Sequence, residues 1–512
     1  MTLRLRSTLS RSLEPLEPED GAAIRMYSCG PTVYRYAHVG NLRTFLLADL
    51  IRRVVLYHGV PVVQVQNITD VGHLRDERFD RGEDRMLVAA GLEHKTTQEI
   101  ADAYEAAFHA DAALINLLPA HVYPRATEHI PEMVELAERL VDAGHAYLSP
   151  AGNVYFSVAS WPAYGELSGN TLDALRAGHR GEVEPDKRDP ADFALWKAAG
   201  EGRQLKWPTR RWGEGFPGWH LECSAMALRH LGPRFDLHTG GIDNVFPHHE
   251  DEIAQSAPLV GGPPARIWTH GEFLNVGGRK MAKSAGNIER IADVAERGID
   301  PLAFRLLCLT SRYRHKLEYT DESLAAAAAG LASLRGAVAA LGPGPLDGPW
   351  ASEALRAGAA TARPIGTAAG IAGNGSGTGP DLRDRAHDPS APLSPAGRAF
   401  HDRFAAALDD DLDLPTALAV IREVLRSDLA ADERRWLAFD ADFVLGLDLD
   451  RTSVAPAATG DAVPDEVQGL VDERARARAA RDYATADELR VRIASAGYDV
   501  VDRPDGQTVR RR

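Results

Sequence analysis

Two predicted strands flank a predicted helix between residues 24 and 67, and this unit constrains the fold more than any other stretch. IRMYSC at 24–29 predicts a short strand that ends in a turn. From Gly40 apolar residues recur with helical spacing until Gly59, and VPVVQVQN at 60–67 predicts a buried second strand. A strand, helix and strand in this order give parallel strands. The sequence therefore predicts an α/β fold with a doubly wound parallel sheet.

The turn before the predicted helix is suited to a phosphate. A helix N-terminus gathers unpaired backbone N–H groups and a partial positive charge. His38, Gly40 and Asn41 lie at this end of the helix. The glycine lets a ligand approach the backbone, and the two side chains can donate hydrogen bonds to a charged oxygen. The alternative is that His38 only caps the helix.

Most of the reactive side chains fall between Gly218 and Glu252. His248 and Glu252 are four residues apart and so lie on one helical face. Together with Cys223 they have the pattern of a metal site that lacks a fourth ligand. With three cysteines in 512 residues a disulfide framework is excluded. Cys308 has apolar neighbours, which favours an inert core thiol.

A glycine-bearing loop, VGGRKMAKSAGN at 276–287, carries Lys280 and Lys283. Two mobile cations near a phosphate-binding helix end could neutralise a triphosphate. The alternative is a solvated basic loop with no ligand.

Composition limits location and partners. No apolar run approaches the roughly 18 residues that a membrane span needs, so we expect a cytoplasmic protein with no membrane partner. The net charge of −15 argues weakly against nonspecific nucleic-acid binding, but arginines cluster in the segment 464–496. Such a basic C-terminal module is typical of an RNA-contacting appendage.

Several motifs, taken together, resemble the cysteinyl-tRNA synthetases, a family of class I aminoacyl-tRNA synthetases. HVGN at 38–41 is similar to the first class I signature and KMAKS at 280–284 to the second. Other motifs follow in the family's order, namely CGPTVY, NITD, VYFSV, DFALWK, GWHLECSAMA, FPHHEDEIAQS and RARAARDYATADELR. The resemblance spans nearly the whole chain except the Gly- and Pro-rich stretch at 342–394.

The resemblance implies a Rossmann-like catalytic domain interrupted by a connective domain and followed by helical C-terminal domains. The implied parts are the first catalytic half at 1–70, the insertion at 71–210, the second half with the KMAKS loop at 211–288, a stem-contact region at 289–341, a flexible linker at 342–394, a helical bundle at 395–460 and an anticodon-binding module at 461–512.

The resemblance also implies the site residues. One zinc ion per chain would be held by Cys29, Cys223, His248 and Glu252, and Cys29 is the ligand that the local pattern does not supply. A purely structural zinc is the alternative, since four protein ligands normally close a site. ATP, with Mg²⁺, would be bound by His38, Gly40, Asn41, Gly240, Gly241, Asp243 and Lys283. His38, Asn41, Lys280 and Lys283 would be catalytic, Thr69 and Trp219 would contact the amino acid, and His220, His238 and His249 would crowd the same cleft.

The implied activity is that of a cysteine–tRNA ligase, with L-cysteine, ATP and tRNA-Cys as partners and a monomeric enzyme. A ligase of mycothiol synthesis, which passes cysteine to an amino sugar, shares the catalytic motifs but lacks residues like 400–512. A catalytically silent paralogue is the other alternative. The chain departs from the family pattern at Asn41, Ala282, Gly72-His73 and Val509, where relatives often have His, Ser, acidic residues and Trp.

Overall fold

The computed structural model describes most of the chain as two compact units, Met1–Asp450 and Arg451–Arg512. The described residues are 3–72, 74–76, 81–93, 95–173, 186–200, 203–276, 279–280, 289–342, 393–451, 465–479, 482–496, 498–503 and 506–511. Lys283, Ala282, His73 and nearly all of the predicted linker lie outside them. The domain boundaries given above stay predictions.

The secondary structure contains both parallel and antiparallel sheets. The strands are β1 (Arg4–Arg6), β2 (Leu13–Pro15), β3 (Ile24–Ser28), β4 (Val62–Gln66), β5 (Leu74–Asp76), β6 (Arg81–Asp84), β7 (Ala146–Leu148), β8 (Val154–Phe156), β9 (Phe193–Ala198), β10 (Trp207–Thr209), β11 (Gly213–Pro217), β12 (Phe235–Gly241), β13 (Ala265–Gly271), β14 (Leu274–Val276), β15 (Arg279–Lys280), β16 (Leu317–Tyr319), β17 (Tyr498–Arg503) and β18 (Gly506–Arg511). The helices are α1 (Val39–Tyr57), α2 (Arg85–Glu93), α3 (Thr97–Leu114), α4 (Ile130–Asp142), α5 (Trp219–Leu231), α6 (Glu250–Val260), α7 (Ile291–Glu296), α8 (Leu302–Leu309), α9 (Asp321–Ala339), α10 (Pro395–Asp409), α11 (Leu414–Arg426), α12 (Ala431–Leu445), α13 (Asp465–Ala479) and α14 (Tyr483–Ser495).

The central sheet is parallel, which confirms the predicted strand–helix–strand unit. Its order is β13, β12, β3, β4, and every neighbouring pair in it is parallel. All seven residues of β12 are buried, as expected for a parallel strand covered on both faces. The first strand of the sheet in sequence, β3, has β4 on one side and β12 on the other. The carboxyl ends of β3 and β12 therefore meet where the strand order reverses, the usual ligand crevice of such sheets.

An antiparallel sheet is built from the residues between β4 and β12. Its order is β10, β11, β9, β8, β7. Helices α3 and α4 precede this sheet in the chain, β8 contains VYF of the VYFSV motif, and β9 contains FALWK of the DFALWK motif. The chain returns from this sheet at Pro217, immediately before α5.

Helix α1 is buried almost throughout, and it carries charged residues into the core. Asp49 and Arg53 are 3% and 2% exposed. Asp49 accepts hydrogen bonds from Arg53 Nε at 2.9 Å and from Arg305 Nη2 at 2.8 Å. The two cations thus share one buried carboxylate, and their attraction, together with a hydrogen bond from Leu118 N, holds the pKa of Asp49 below its usual value against the opposing effect of burial.

The same guanidinium groups bind the C-terminal end of α12. Arg53 Nη1 donates to Phe443 O at 2.7 Å, and Arg305 Nε donates to Leu445 O at 2.5 Å. The last carbonyls of a helix have no partner within the helix, and cations there also interact favourably with the helix dipole. Gly446 follows in a left-handed conformation with φ of 62°, which lets Arg305 approach closely. Asp49, Arg53 and Arg305 therefore join α1, α8 and α12.

The unit Arg451–Arg512 contains the helix pair α13 and α14 and the hairpin β17–β18. Val467, Val471 and Ile493 form a small core between the helices. Arg476, Arg478, Arg490 and Arg492 are exposed, whereas Arg474 is fully buried. The predicted helical, arginine-rich segment is thus confirmed, except that Arg474 belongs to the interior. In the described parts of both units, we find no helix with the length and apolar character that crossing a membrane requires.

We expect Asp49→Asn to lower the free energy of unfolding of the larger unit by about 3 kcal/mol, because it leaves two buried guanidinium groups without their shared anion. Urea unfolding followed by tryptophan fluorescence measures this change. The matched control is Asp321→Asn. The Asp321 side chain is 82% exposed, and its Oδ1 lies 2.6 Å from Arg297 Nη1. It should cost at most about 1 kcal/mol. Equal effects of the two substitutions would contradict the importance of the buried cluster.

Candidate metal centre and nucleotide cleft

The four side chains predicted to hold a metal lie together at the carboxyl end of the parallel sheet. One ligating atom from each of Cys29, Cys223, His248 and Glu252 lies within 4.8 Å of all the others. Cys29 follows β3, Cys223 belongs to α5, and His248 and Glu252 lie on either side of the start of α6. His248 Nε2 is 3.1 Å from Glu252 Oε1. The structure thus provides a candidate metal centre whose four donors come from three separate chain segments.

A second set of possible donors overlaps the first. Cys29, His238, His249 and Glu252 satisfy the same 4.8 Å criterion. His249 Nε2 is 3.2 Å from Cys29 Sγ, and His238 Nε2 is 2.9 Å from Glu252 Oε2. The sequence placed His238 and His249 in the cleft but did not identify them as possible ligands. The only signal available was that His249 is three residues from Glu252, because residues three apart also lie on one face of a helix.

A π-helical turn, Val245–His249, leads into α6, which begins at Glu250. Within this turn Phe246 has an extended backbone, φ −143° and ψ 133°. A residue that precedes proline is driven away from the helical region because the proline ring clashes with its backbone. His248 lies in this turn, directly before the helix.

In the absence of a metal, burial disfavours the anionic forms of the thiols and the carboxyl group in this cluster. It raises the pKa of the Cys29 thiol and of the Glu252 carboxyl. The neighbouring Cys29 thiol, followed by burial, raises the pKa of Cys223 well above its usual value. A bound divalent cation reverses this tendency because it stabilises thiolate and carboxylate. Two soft sulfur donors with one imidazole and one carboxylate match the donor preference of zinc.

Further polar side chains orient the donors. His220 Nδ1 is 2.8 Å from His248 Nδ1, and His220 Nε2 is 3.3 Å from Asp251 Oδ2. These contacts fix the His248 ring so that its Nε2 faces Glu252. Such outer contacts usually set the orientation and basicity of metal ligands.

On the other side, His249 Nδ1 is 2.8 Å from His270 Nε2, and His270 Nδ1 is 2.7 Å from Thr8 Oγ1. Burial and the neighbouring imidazoles lower the pKa of His249 well below its usual value, and burial with His238 lowers that of His270 to about 3. Both rings are therefore neutral at physiological pH.

His38 does cap α1, as the alternative interpretation of the sequence held. Asn41 N donates to His38 Nδ1 at 3.3 Å, and His38 N donates to Asn41 Oδ1 at 3.2 Å. Because a backbone N–H can only donate, Nδ1 is the unprotonated nitrogen and the ring proton lies on Nε2. Capping and ligand binding are therefore compatible, since the cap uses Nδ1 and the ring N–H lies on the opposite side of the ring.

The glycines of this region allow close contacts. A Cβ on Gly40 would lie 3.0 Å from both Cε1 and Nδ1 of His38. At the end of β12, a Cβ on Gly240 would lie 2.7 Å from His249 Cε1, and one on Gly241 would lie 2.6 Å from Asp243 Oδ1. The His38 ring is thus folded over Gly40, and β12 ends directly beside the candidate metal centre.

One of the two residues expected to contact an amino acid, Trp219, borders the centre. The ring of Trp219 is 4.5 Å from that of His248, centroid to centroid. Thr69 N donates to Pro31 O at 3.1 Å, and Thr69 O accepts from Val33 N at 3.1 Å, so this segment is bound to the turn after Cys29. Lys280 ends β15, but only its backbone is described.

Comparison with known proteins identifies the family to which the chain belongs. Residues 15–329 match the family of class I tRNA synthetase (C) catalytic domains, and residues 460–510 match the cysteinyl-tRNA ligase anticodon-binding domain. Cysteine–tRNA ligase of Thermosynechococcus vestitus is 38% identical over 99% of this chain and 98% of its own. That of Deinococcus radiodurans is 40% identical over 98% of this chain and 96% of its own.

The chain belongs to the cysteine–tRNA ligase family. Among solved structures, Mycobacterium tuberculosis methionyl-tRNA synthetase bound by methionyl-adenylate has a TM-score of 0.53 at 14% identity and covers 84% of this chain and 92% of that one. This likeness confirms the class I catalytic fold. The resemblance stated from the motifs, and the α/β fold that it implied, are thereby confirmed.

For this member of the cysteine–tRNA ligase family we expect Gly40→Ala to reduce ATP–pyrophosphate exchange by at least about tenfold while stability changes little. The added Cβ displaces the His38 ring. Loss of the His38 cap lowers stability by about 1 kcal/mol, and the better helix propensity of alanine offsets this loss. Exchange assays and thermal unfolding measure the two effects. The control is Gly336→Ala in α9, whose Cβ would meet nothing within 4 Å. It should leave exchange unchanged, and an equal loss in both variants would contradict the role of Gly40.

Proposed function

We propose that the chain activates L-cysteine with ATP, forming cysteinyl-adenylate and pyrophosphate, and then transfers the cysteinyl group to the 3′-terminal adenosine of tRNA-Cys. The observation that carries this proposal is the full-length similarity to cysteine–tRNA ligases, together with a buried donor cluster at the ligand crevice of the sheet. The carboxylate of cysteine attacks the α-phosphate of ATP. A ribose hydroxyl of the tRNA then attacks the acyl carbon and releases AMP.

The residues proposed to hold one zinc ion are Cys29, Cys223, His248 and Glu252. This set is preferred to the overlapping one because it provides two thiolates, the softest ligands available to zinc in proteins. His238 and His249 then act as hydrogen-bonding neighbours of Glu252 and Cys29. The ion would supply an acceptor for a soft sulfur atom, which separates cysteine from serine although the two differ by one atom.

Trp219 and Thr69 are proposed to border the amino acid. Trp219 lies against His248, so its indole forms one wall beside the donor cluster. Thr69 is fixed through its backbone to the turn after Cys29. A substrate that reaches the donor cluster with its side chain would therefore pass both residues.

The proposed ATP site lies at the start of α1 and the end of β12. Gly40, Gly240 and Gly241 allow close approach to the backbone, and Asp243 would bind ribose. His38 Nε2–H, the Asn41 amide, Lys280 and Lys283 would stabilise the charge that develops on the phosphoryl oxygens, with Mg²⁺ accompanying ATP. The capping contact fixes the orientation of the amide, because Asn41 Oδ1 accepts a hydrogen bond from His38 N. The NH₂ group of Asn41 is the part that can donate to a phosphate.

The unit Arg451–Arg512 is proposed to bind tRNA-Cys. The match of residues 460–510 to the anticodon-binding domain supports this partner. Four exposed arginines on α13 and α14, Arg476, Arg478, Arg490 and Arg492, provide cations for phosphate contacts. We propose that the enzyme acts in the cytoplasm as a monomer.

We expect about one zinc per chain in the wild-type protein and a loss of most of it in Cys223→Ala. Metal analysis of the purified protein measures this. Cys308→Ala is the matched control because Cys308 is a buried thiol outside the cluster, and it should retain the metal. His249→Ala separates the two donor sets. It should keep the zinc if Cys223 is a ligand, and loss in His249→Ala with retention in Cys223→Ala would favour the other set.

We expect the protein to catalyse both cysteine-dependent ATP–pyrophosphate exchange and the charging of tRNA-Cys with labelled cysteine. Serine should support exchange far less well, because an alcohol is a poor zinc ligand. Exchange without charging would indicate the cysteine ligase of mycothiol synthesis instead. The absence of both activities would indicate a catalytically silent paralogue.

A further inference from the structure

Three of the four proposed ligands have a polar neighbour that can fix or tune them. His249 Nε2 lies 3.2 Å from Cys29 Sγ, His220 Nδ1 lies 2.8 Å from His248 Nδ1, and His238 Nε2 lies 2.9 Å from Glu252 Oε2. The fourth ligand, Cys223, has no imidazole contact of this kind among the described residues. In metal sites generally, each ligand tends to have such an outer partner. The question is which group serves Cys223.

Tyr27 is positioned to be that group. It lies in β3 two residues before Cys29, in register with His238 of the neighbouring strand, and its ring centroid is 5.2 Å from that of His238. Its side chain is 0% exposed. Its hydroxyl has no hydrogen-bond partner among the described residues. A buried hydroxyl without a partner is unfavourable, so this one needs an acceptor.

The surroundings of the Tyr27 hydroxyl identify the acceptor. Tyr27 and Cys223 belong to the same buried cluster, and α5, which carries Cys223, packs against β3, which carries Tyr27. Glu252 and Cys29 already have His238 and His249. A neutral thiol is a weak acceptor, but a thiolate is a strong one, and coordination to a metal keeps the thiol deprotonated.

We propose that the Tyr27 hydroxyl donates a hydrogen bond to the Cys223 thiolate when the centre holds its metal. Tyr27 is then a positioning residue, which orients Cys223 and withdraws electron density from its sulfur. This inference depends on the proposed metal centre, in which Cys223 is a ligand. It explains why a tyrosine rather than a phenylalanine occupies a fully buried place in β3.

The test compares Tyr27→Phe with the wild type after the native metal is replaced by Co²⁺. Loss of the hydrogen bond raises the energy of the sulfur lone pairs, so the thiolate-to-Co²⁺ charge-transfer band should move to longer wavelength. Zinc affinity, measured by competition with a chromophoric chelator, should fall by at least about tenfold. A change confined to packing would leave the position of the band unaltered.

Tyr155→Phe is the control, because Tyr155 is a buried tyrosine whose hydroxyl donates to Asp186, outside the donor cluster. It should match the wild type in band position and zinc affinity. An unshifted band and unchanged affinity in Tyr27→Phe would overturn the inference, while the proposed metal centre would stand. If the wild-type protein showed no thiolate-to-Co²⁺ band, the metal centre itself would be refuted and the inference with it.

Discussion

The parallel pairing of β3 with β12 is the contact on which the candidate site depends. Met26 pairs with Leu237 and Ser28 with Thr239, and Cys29 N donates to Thr239 O at 3.2 Å. Side chains alternate between the two faces of a strand, so a slip of one residue would reverse every side chain of β3. Tyr27 would then leave the side of His238, and Cys29 would leave the donor cluster. The register between two distant segments therefore determines the composition of the centre.

Helix α1 extends this constraint to the nucleotide side of the cleft. Its first turn is fixed by the reciprocal contacts of His38 and Asn41, and its middle by Asp49 and Arg53. Because Asp49 binds Arg305 and Arg53 binds a carbonyl of α12, the helix cannot slide along its axis without breaking buried, charge-assisted hydrogen bonds. The position of the His38 ring thus depends on contacts more than two helical turns away.

Local patterns in the sequence were enough to predict the parts of the fold that depend on short-range periodicity. The β3–α1–β4 unit and the His248/Glu252 pair are examples. Cys29 was different: its approach to Cys223 depends on strand pairing across about two hundred residues, and only the resemblance to a family indicated it. The extended backbone of Phe246 interrupts the π-helical turn that leads into α6, which helical spacing alone does not indicate. The burial of Arg474 and Asp49 could not be predicted either, because a charged residue within a helix gives no sign of its buried partners.

The histidines around the donor cluster suit the charge that the proposed zinc site would carry. Two thiolates and a carboxylate would carry more negative charge than a divalent cation neutralises, and a substrate thiolate would add to the excess. In a buried site this excess has to be balanced by donors. Lysine or arginine could balance the excess negative charge, but such a cation close to the metal ion would repel that ion. Neutral imidazoles such as His249 donate hydrogen bonds without adding charge, and their burial, which lowers their pKa, keeps them neutral. The histidine-rich surroundings therefore fit the proposed zinc site with two thiolate ligands.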